Sequence, residues 1–349
     1  MYDSFMKNVG IIGASGFTGA ELMRLCAGHP DLTVTVAAAD SMAGTSVADL
    51  YPSLAAHYGT MTYAPTDPAL FADCDVVFLG LPHGASQALV PQLRSLKIPL
   101  IDLGADYRLT DPALYPQWYG EAHANPELLA QAVYGLPELF RESLKDADLI
   151  AVPGCFPTSA SLALAPFVKA GLIETTGIIV DAATGVSGAG RAAKDNTTFC
   201  AVDEDFTAYA LEGHRHTPEM EQVLATGTDQ EVSVLFTPHL APMNRGILAT
   251  CYARPSKDLD TATALAVLTN HYANEPFMVV SERSPSTKNT LGSNAAHLTA
   301  RVDPRTGLLV SICALDNLGK GASGAALQCA NLALGFEETL GLTSIGLTP

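Results

Sequence analysis

One cysteine in this chain stands in unusual company. The stretch "AVPGCFPTSASLALAPF", residues 151–167, sets Cys155 between Gly154 and Phe156, with Pro153 and Pro157 outside them. The apolar run that follows reads as a helix with Thr158 or Ser159 as its N-cap, which places the sulfur just ahead of a helix N-terminus. There the helix dipole and unpaired N–H groups favour a thiolate and lower the pKa of a thiol. An exposed, aimed and easily ionised sulfur is what acyl-forming covalent catalysis needs. The other cysteines, at 26, 74, 200, 251, 313 and 329, lie in apolar helical or strand-like runs and read as packing.

Acyl chemistry on a thiolate also needs a proton donor. "LEGHRHTPEMEQVL" offers His214 and His216, two positions apart and so on one side of an extended segment, with Thr217 and Pro218 as the N-cap and first position of the next helix. The same pair could hold a metal, but no third Cys, His or carboxylate stands at a recognisable ligand spacing, and no metal is expected. Candidate anion-binding groups are Arg191 in the glycine- and serine-rich "DAATGVSGAGRAAKDN", with Lys194 near it, Arg245 in "PHLAPMNRGILATCYA", and Arg108 and Arg215. The chain carries 19 Lys and Arg against 36 Asp and Glu, a net charge of −17, so bases gathered in loops marked by Gly and Pro stand out. That acidity disfavours nucleic acid or an anionic membrane as a partner.

Such groups need a frame. The chain has 349 residues, 48% of them hydrophobic, which is enough for two domains with sizeable cores. "NVGIIGASGFTGAELMRLCAGHPDLTVTVAAADS" reads as strand, glycine turn, helix ending near Gly28, and second strand. Gly10, Gly13 and Gly16 have a GxxGxxG spacing, with Gly19 beyond; such a turn brings backbone N–H groups against a dinucleotide pyrophosphate. "CDVVFLGLP" and "IPLIDLGAD" read as buried parallel strands with a helix over residues 84–96 between them. The expected architecture is α/β, a Rossmann-type doubly wound parallel sheet, with "LPHGAS" and "DLGADYRL" at the strand ends where ligands bind. The second strand ends at Asp40, which suits the ribose hydroxyl of NAD; Ser41 and Thr45 could bond a 2′-phosphate, but no Arg or Lys is near in sequence. Neither a membrane span nor a signal peptide is apparent and there is no CxxC, so a soluble cytoplasmic protein is expected.

Taken in order, "VGIIGASGFTGAEL", "LPHGAS", "DLGADYRL", "YGLPELFR", "VPGCFPT", "TGVSGAGR", "GHRHTPE", "FTPHLAPMNRGILATCY" and "DNLGKGASG" resemble the N-acetyl-γ-glutamyl-phosphate reductase family of the aspartate-semialdehyde dehydrogenase superfamily, over nearly the whole chain. The resemblance implies reduction of an acyl phosphate in arginine biosynthesis, with Cys155 as nucleophile and His216 as acid/base, His214 being the alternate. It implies a dinucleotide-binding domain over 1–152 and 316–349, interrupted by an α+β catalytic and oligomerisation domain over 153–315. It assigns Gly10, Gly13, Ser15, Gly16, Phe17, Thr18, Ser41, Gly188 and Asn317 to the cofactor, with Asn317 beside the nicotinamide carboxamide. Arg108, Ser187, Arg191, Arg215 and Arg245 fall to the substrate, and a homotetramer or homodimer is implied. The family is NADP-linked, and many members carry a basic residue after the second-strand serine. "DSMAGTS" has none; NADP is still expected, with NAD second. Close alternatives are an aspartate-semialdehyde or aminoadipyl type of reductase, and a more distant one is a non-catalytic dinucleotide sensor.

Overall fold

The computed structural model describes residues 6–347. It divides into two compact units. The first holds the described residues through Pro112, Ala122–Pro153 and Ala322–Leu342; the second holds Ala113–Glu121, Gly154–Gly321 and the described residues from Thr343 on.

The first unit is built on β1 (Lys7–Ile12), β2 (Leu32–Ala38), β3 (Val76–Leu79), β4 (Leu100–Asp102), β5 (Val133–Tyr134) and β6 (Leu149–Ala151). They form one sheet in the order β2-β1-β3-β4-β6-β5, parallel throughout. Every residue of β3 and β4 is buried, as expected of apolar strands covered on both faces. The helix Phe17–Ala27 follows β1 and ends against Gly28, and Ala85–Leu93 follows β3. Since β1 leads outward to β2 and the chain then returns to β3 on its other side, the topological switch lies between β1 and β3.

The second unit carries β7 (Ile178–Gly185), β8 (Thr207–Ala208), β9 (Val234–Ala241), β10 (Ile247–Ala253), β11 (Met278–Val280), β12 (Ala296–Val302) and β13 (Leu309–Leu315). This sheet is mixed, in the order β11-β12-β13-β10-β7-β9-β8. Burial alternates along β10, so one face of the sheet packs on the core and the other does not. The helix Cys155–Lys169 has residues 156–168 all buried. Pro166 lies inside it and can give no N–H to the Leu162 carbonyl; the Tyr272 hydroxyl donates there instead at 2.7 Å. Ser311 Oγ donates to the next carbonyl, Ala163, at 2.8 Å.

The division by contacts differs from the expected boundaries at Pro153, which packs in the first unit, and at 113–121, 316–321 and the described residues after Leu342, which pack in the second. For Asp316 the reason is local. Its carboxylate accepts from Arg245 Nε at 3.0 Å and from the Gly292, Leu318 and Gly319 N–H groups at 2.6–3.1 Å, which ties the segment to the second sheet.

Candidate active site

Cys155 is the first residue of its helix and half-buried, with Gly154 at the N-cap. The N-cap thus lies four residues before Thr158, the earlier of the two expected caps. Pro157 does not delay it, because the first-turn positions have no intrahelical carbonyl to bond. Thr158 Oγ1 donates to the Gly154 carbonyl at 3.0 Å and Ser159 Oγ donates to the Phe156 carbonyl at 2.9 Å, so neither serves as the cap.

Two glycines let other groups approach this cysteine. A Cβ on Gly154 would collide with His216 Nε2 and lie 2.8 Å from Cδ2, so the imidazole lies against the backbone next to the sulfur. A Cβ on Gly321 would lie 2.9 Å from Cys155 Cβ. Gly321 belongs to a π-helical turn, Gly319–Ser323, a rare geometry that clusters at functional sites. The Gly154 N–H donates to Glu219 Oε1 at 2.7 Å, and Glu219 is fully buried. Glu219 lies one turn beyond His216, on the helix Thr217–Ala225, so one short helix holds both the imidazole and the backbone before Cys155.

His214 and His216 come together, with ring centroids 4.6 Å apart, but not on an extended strand. The chain turns instead: His214 O accepts from Thr217 N–H at 2.9 Å, and His214 Nδ1 accepts from His216 N–H at 3.1 Å. His216, rather than Thr217, is the residue before the helix. Burial, aided by the Arg215 charge, pushes the His214 pKa down to about 4, so this ring is neutral at physiological pH. Tyr209 stands nearby, its pKa raised by burial and by the Cys155 charge.

Asn317 Oδ1 accepts from Gly246 N–H at 2.7 Å, and its Nδ2 donates to Ser187 Oγ at 2.9 Å. Gly188 packs on Thr184, its Cβ position 3.8 Å from Asn317 Nδ2. Ser187, Gly188, Arg245 and Asn317 therefore form one hydrogen-bonded corner of the second unit. Arg191 is exposed in the loop beyond it. Arg215 is exposed as well, its guanidinium 6.0 Å from the Tyr119 ring centroid.

The first unit has its own constellation. Gly13 has φ +79°, a conformation that favours glycine, and a Cβ there would collide with the Gly80 carbonyl, so the turns after β1 and β3 touch. Gly16 is the N-cap of the helix Phe17–Ala27, with no side chain capping it and no acidic residue in its first turn. Free N–H groups at a helix start, flanked by small residues, fit a dinucleotide phosphate. Gly19 lets the helix close on this turn, since its Cβ would lie 2.5 Å from Ala14 Cα. Ser15 O accepts from Tyr51 Oη, and Thr18 O from Ser323 Oγ, both at 2.8 Å. Gly10 lies inside β1, where a Cβ would meet the Phe71 ring; its smallness serves packing rather than a phosphate. Ser41 is exposed at the end of β2, and the adjacent Asp40 Oδ1 accepts from Thr66 N–H at 2.6 Å. Arg108 is buried, donating through Nε to Val152 O and through Nη2 to Leu103 O, both at 2.8 Å.

Residues 8–147 match the semialdehyde dehydrogenase NAD binding domain, and residues 155–317 match the semialdehyde dehydrogenase dimerisation domain. An N-acetyl-gamma-glutamyl-phosphate reductase of Geobacter sulfurreducens is 47% identical over 347 residues, covering 99% of this chain and all of the relative. One from Symbiobacterium thermophilum is 47% identical over 341 residues, 97% of this chain and 98% of that one. The chain belongs to the N-acetyl-γ-glutamyl-phosphate reductase family. Its fold also matches aspartate semialdehyde dehydrogenase with NADP from Candida albicans, at a TM-score of 0.72 and 16% identity over 94% of this chain and 98% of that one. The expected two-domain α/β architecture, with a Rossmann-like sheet first and an α+β domain after it, is the one observed.

Within the family frame, Glu219, Gly321, Asp316 and Tyr209 were not singled out from sequence, nor was the close approach that Gly154 permits. Glu219 had a signal, since it stands three residues after His216 at the start of a helix. The two glycines had none beyond their proximity to named motifs, because close approach across distant segments leaves no local mark.

Proposed function

We propose that the chain catalyses the NADPH-dependent reduction of N-acetyl-γ-glutamyl phosphate to N-acetylglutamate γ-semialdehyde and phosphate, in arginine biosynthesis. The observation that carries this reading is the pairing of Cys155 at a helix start with the His216 ring pressed against Gly154.

The Cys155 thiolate attacks the γ-carbonyl carbon; an S–C bond forms, the C–O bond to phosphate breaks, and phosphate leaves with its electron pair. The helix N-terminus favours both the thiolate and the anionic leaving group. The turn at Gly13, Ser15, Gly16, Phe17 and Thr18 would hold NADPH, which when bound would supply the hydride for reduction of the acyl carbon. His216 shares its proton with the oxygen that becomes anionic and takes it back as the C–S bond breaks, so the aldehyde leaves and Cys155 returns as thiolate. His214, neutral and accepting the His216 N–H, orients that residue, which favours His216 as the acid/base. Asn317 and Gly188 are assigned to the cofactor and Ser187 and Arg245 to the substrate; Arg108, Arg191 and Arg215 are further candidates for its anionic groups. Ser41, exposed beyond β2, is assigned to the 2′-phosphate, with NADP favoured over NAD.

The protein works as a homodimer or homotetramer in the cytoplasm. Support for self-association comes from the match to a dimerisation domain and from apolar residues on the open sheet face, where Ile179 and Leu235 are 41% and 63% exposed and sit opposite each other in β7 and β9.

The test is the reverse reaction. NADP⁺ reduction that requires both N-acetylglutamate γ-semialdehyde and phosphate supports the reading. Reduction with aspartate or aminoadipate semialdehyde instead would reassign the substrate, and cofactor binding without turnover of any of the three would refute the enzyme.

A further inference from the structure

We propose that the segment Thr343–Leu347 is a positioning element of the active site: through the bracket Thr287–Asn294 it holds Arg245 and the π-helical turn in place beside Cys155. The inference rests on the reading of this chain as a reductase with Arg245 on its substrate, and adds to that site the residues that hold it.

All of these residues belong to the second unit. The bracket opens with the four-residue helix Thr287–Thr290 and continues through Leu291 to Asn294. It meets the site through Gly246, Asp316 and Gly319. A Cβ on Gly246, the residue after Arg245, would lie 2.7 Å from Thr287 Cβ. The Gly292 N–H donates to Asp316 Oδ2 at 2.6 Å, while Asp316 Oδ1 accepts from Arg245 Nε at 3.0 Å. A Cβ on Gly319, in the π-helical turn, would collide with the Ser293 carbonyl, and in the same turn Gly321 packs on Cys155.

The bracket needs support from other segments. A single helical turn fixes several dihedrals for few hydrogen bonds and is unstable in isolation. Its side-chain bonds are local: Thr290 Oγ1 donates to Thr287 O at 3.1 Å, and Ser293 Oγ to Thr290 O at 2.8 Å. The segment Thr343–Leu347 ties it down. Asn294 N–H donates to Thr343 O and Leu347 N–H to Leu291 O, both at 2.8 Å. Gly346 lies on the Asn289 carbonyl, where any Cβ would collide, and Ile345 N–H donates to Thr343 Oγ1 at 3.0 Å. Leu347 Cδ1 lies 3.1 Å from the Cβ position of Gly292, the residue whose N–H serves Asp316. Leu347 is 64% exposed, so backbone bonds and close approach hold the segment more than apolar burial does. Asp316 is fully buried, and a buried carboxylate is costly once a donor withdraws. Release of Gly292 therefore loosens Arg245 and the turn together, and a misplacement of about 1 Å can cost on the order of a hundredfold in rate.

The experiment uses the full chain and the reverse reaction, NADP⁺ reduction with N-acetylglutamate γ-semialdehyde and phosphate. Gly346→Ala drives the segment off Asn289, and Leu347→Pro removes the N–H given to Leu291 without adding bulk at Gly346. Each should lower kcat/KM for the semialdehyde at least about tenfold. Alkylation of Cys155 by iodoacetamide, read by peptide mapping, should quicken at least about threefold in both as the turn against it loosens. On an Asp316→Asn background, Gly346→Ala should change either rate by less than about twofold, because both act through one carboxylate. Equal loss on both backgrounds would mark a merely structural role and overturn the assignment, and so would wild-type rates in both single variants. A wild type that reduces no NADP⁺ would refute the reductase reading instead. The alkylation rates would then still decide the positioning, and equal rates in wild type and variants would overturn it.

Discussion

Cys155 and His216 are separated by sixty residues of chain, and what joins them is the lack of a side chain at Gly154 together with a buried acceptor at Glu219. His214 is the residue whose charge state matters most here. Its folded pKa, about 4, lies below the ordinary histidine value, so it binds fewer protons folded than unfolded between roughly pH 6.5 and 4. Its contribution to stability is therefore complete above pH 6.5 and is lost as the pH falls through 4. At pH 5 the loss is on the order of 2 kcal/mol. His214→Gln should show a shallower fall in Tm between pH 7 and pH 5 than the wild type, measured by thermal melts. Identical slopes would contradict the burial argument.

The two glycine-bearing turns make separable demands. In the turn after β1, Gly13 combines a positive φ with contact against the Gly80 carbonyl, so Gly13→Ala should weaken NADPH binding at least tenfold while iodoacetamide still alkylates Cys155. In the π-helical turn, a Cβ on Gly321 presses on Cys155 and lies 3.2 Å from the Asp316 carbonyl, so Gly321→Ala should lower kcat at least tenfold with NADPH binding intact. If both variants lost both properties, the cofactor turn and the cysteine turn would not be independent. The strand–turn–helix units were legible because their apolar runs and glycine punctuation are local signals. The start of the Cys155 helix was misread by at least four residues because Thr158 and Ser159 look like caps, whereas the true N-cap, Gly154, has no side chain to announce it.

The molecule as a whole was legible in class and order, through the alternation of the first half and the unbroken series of motifs. The contacts that complete the site were not. Asp316 reaches Arg245 and Gly292, and Gly154 reaches Glu219, across separations that no periodicity encodes. The open face of the second sheet was also invisible before β7 and β9 were paired, because Ile179 and Leu235 each sit in an ordinary alternating strand. This exposed apolar face is the proposed contact between subunits. Leu235→Arg should shift the sedimentation of the protein toward the monomer without unfolding it; a wild type that sediments as a monomer would contradict the proposed assembly.

The central claim is that Cys155 carries the acyl group, and one comparison tests it most directly. Wild type and Cys155→Ser are given N-acetylglutamate γ-semialdehyde, phosphate and NADP⁺, while NADPH binding to each is titrated in parallel. Loss of phosphate-dependent NADP⁺ reduction in the variant, with NADPH binding unchanged, is the predicted result. Turnover near the wild-type rate in Cys155→Ser would contradict the account.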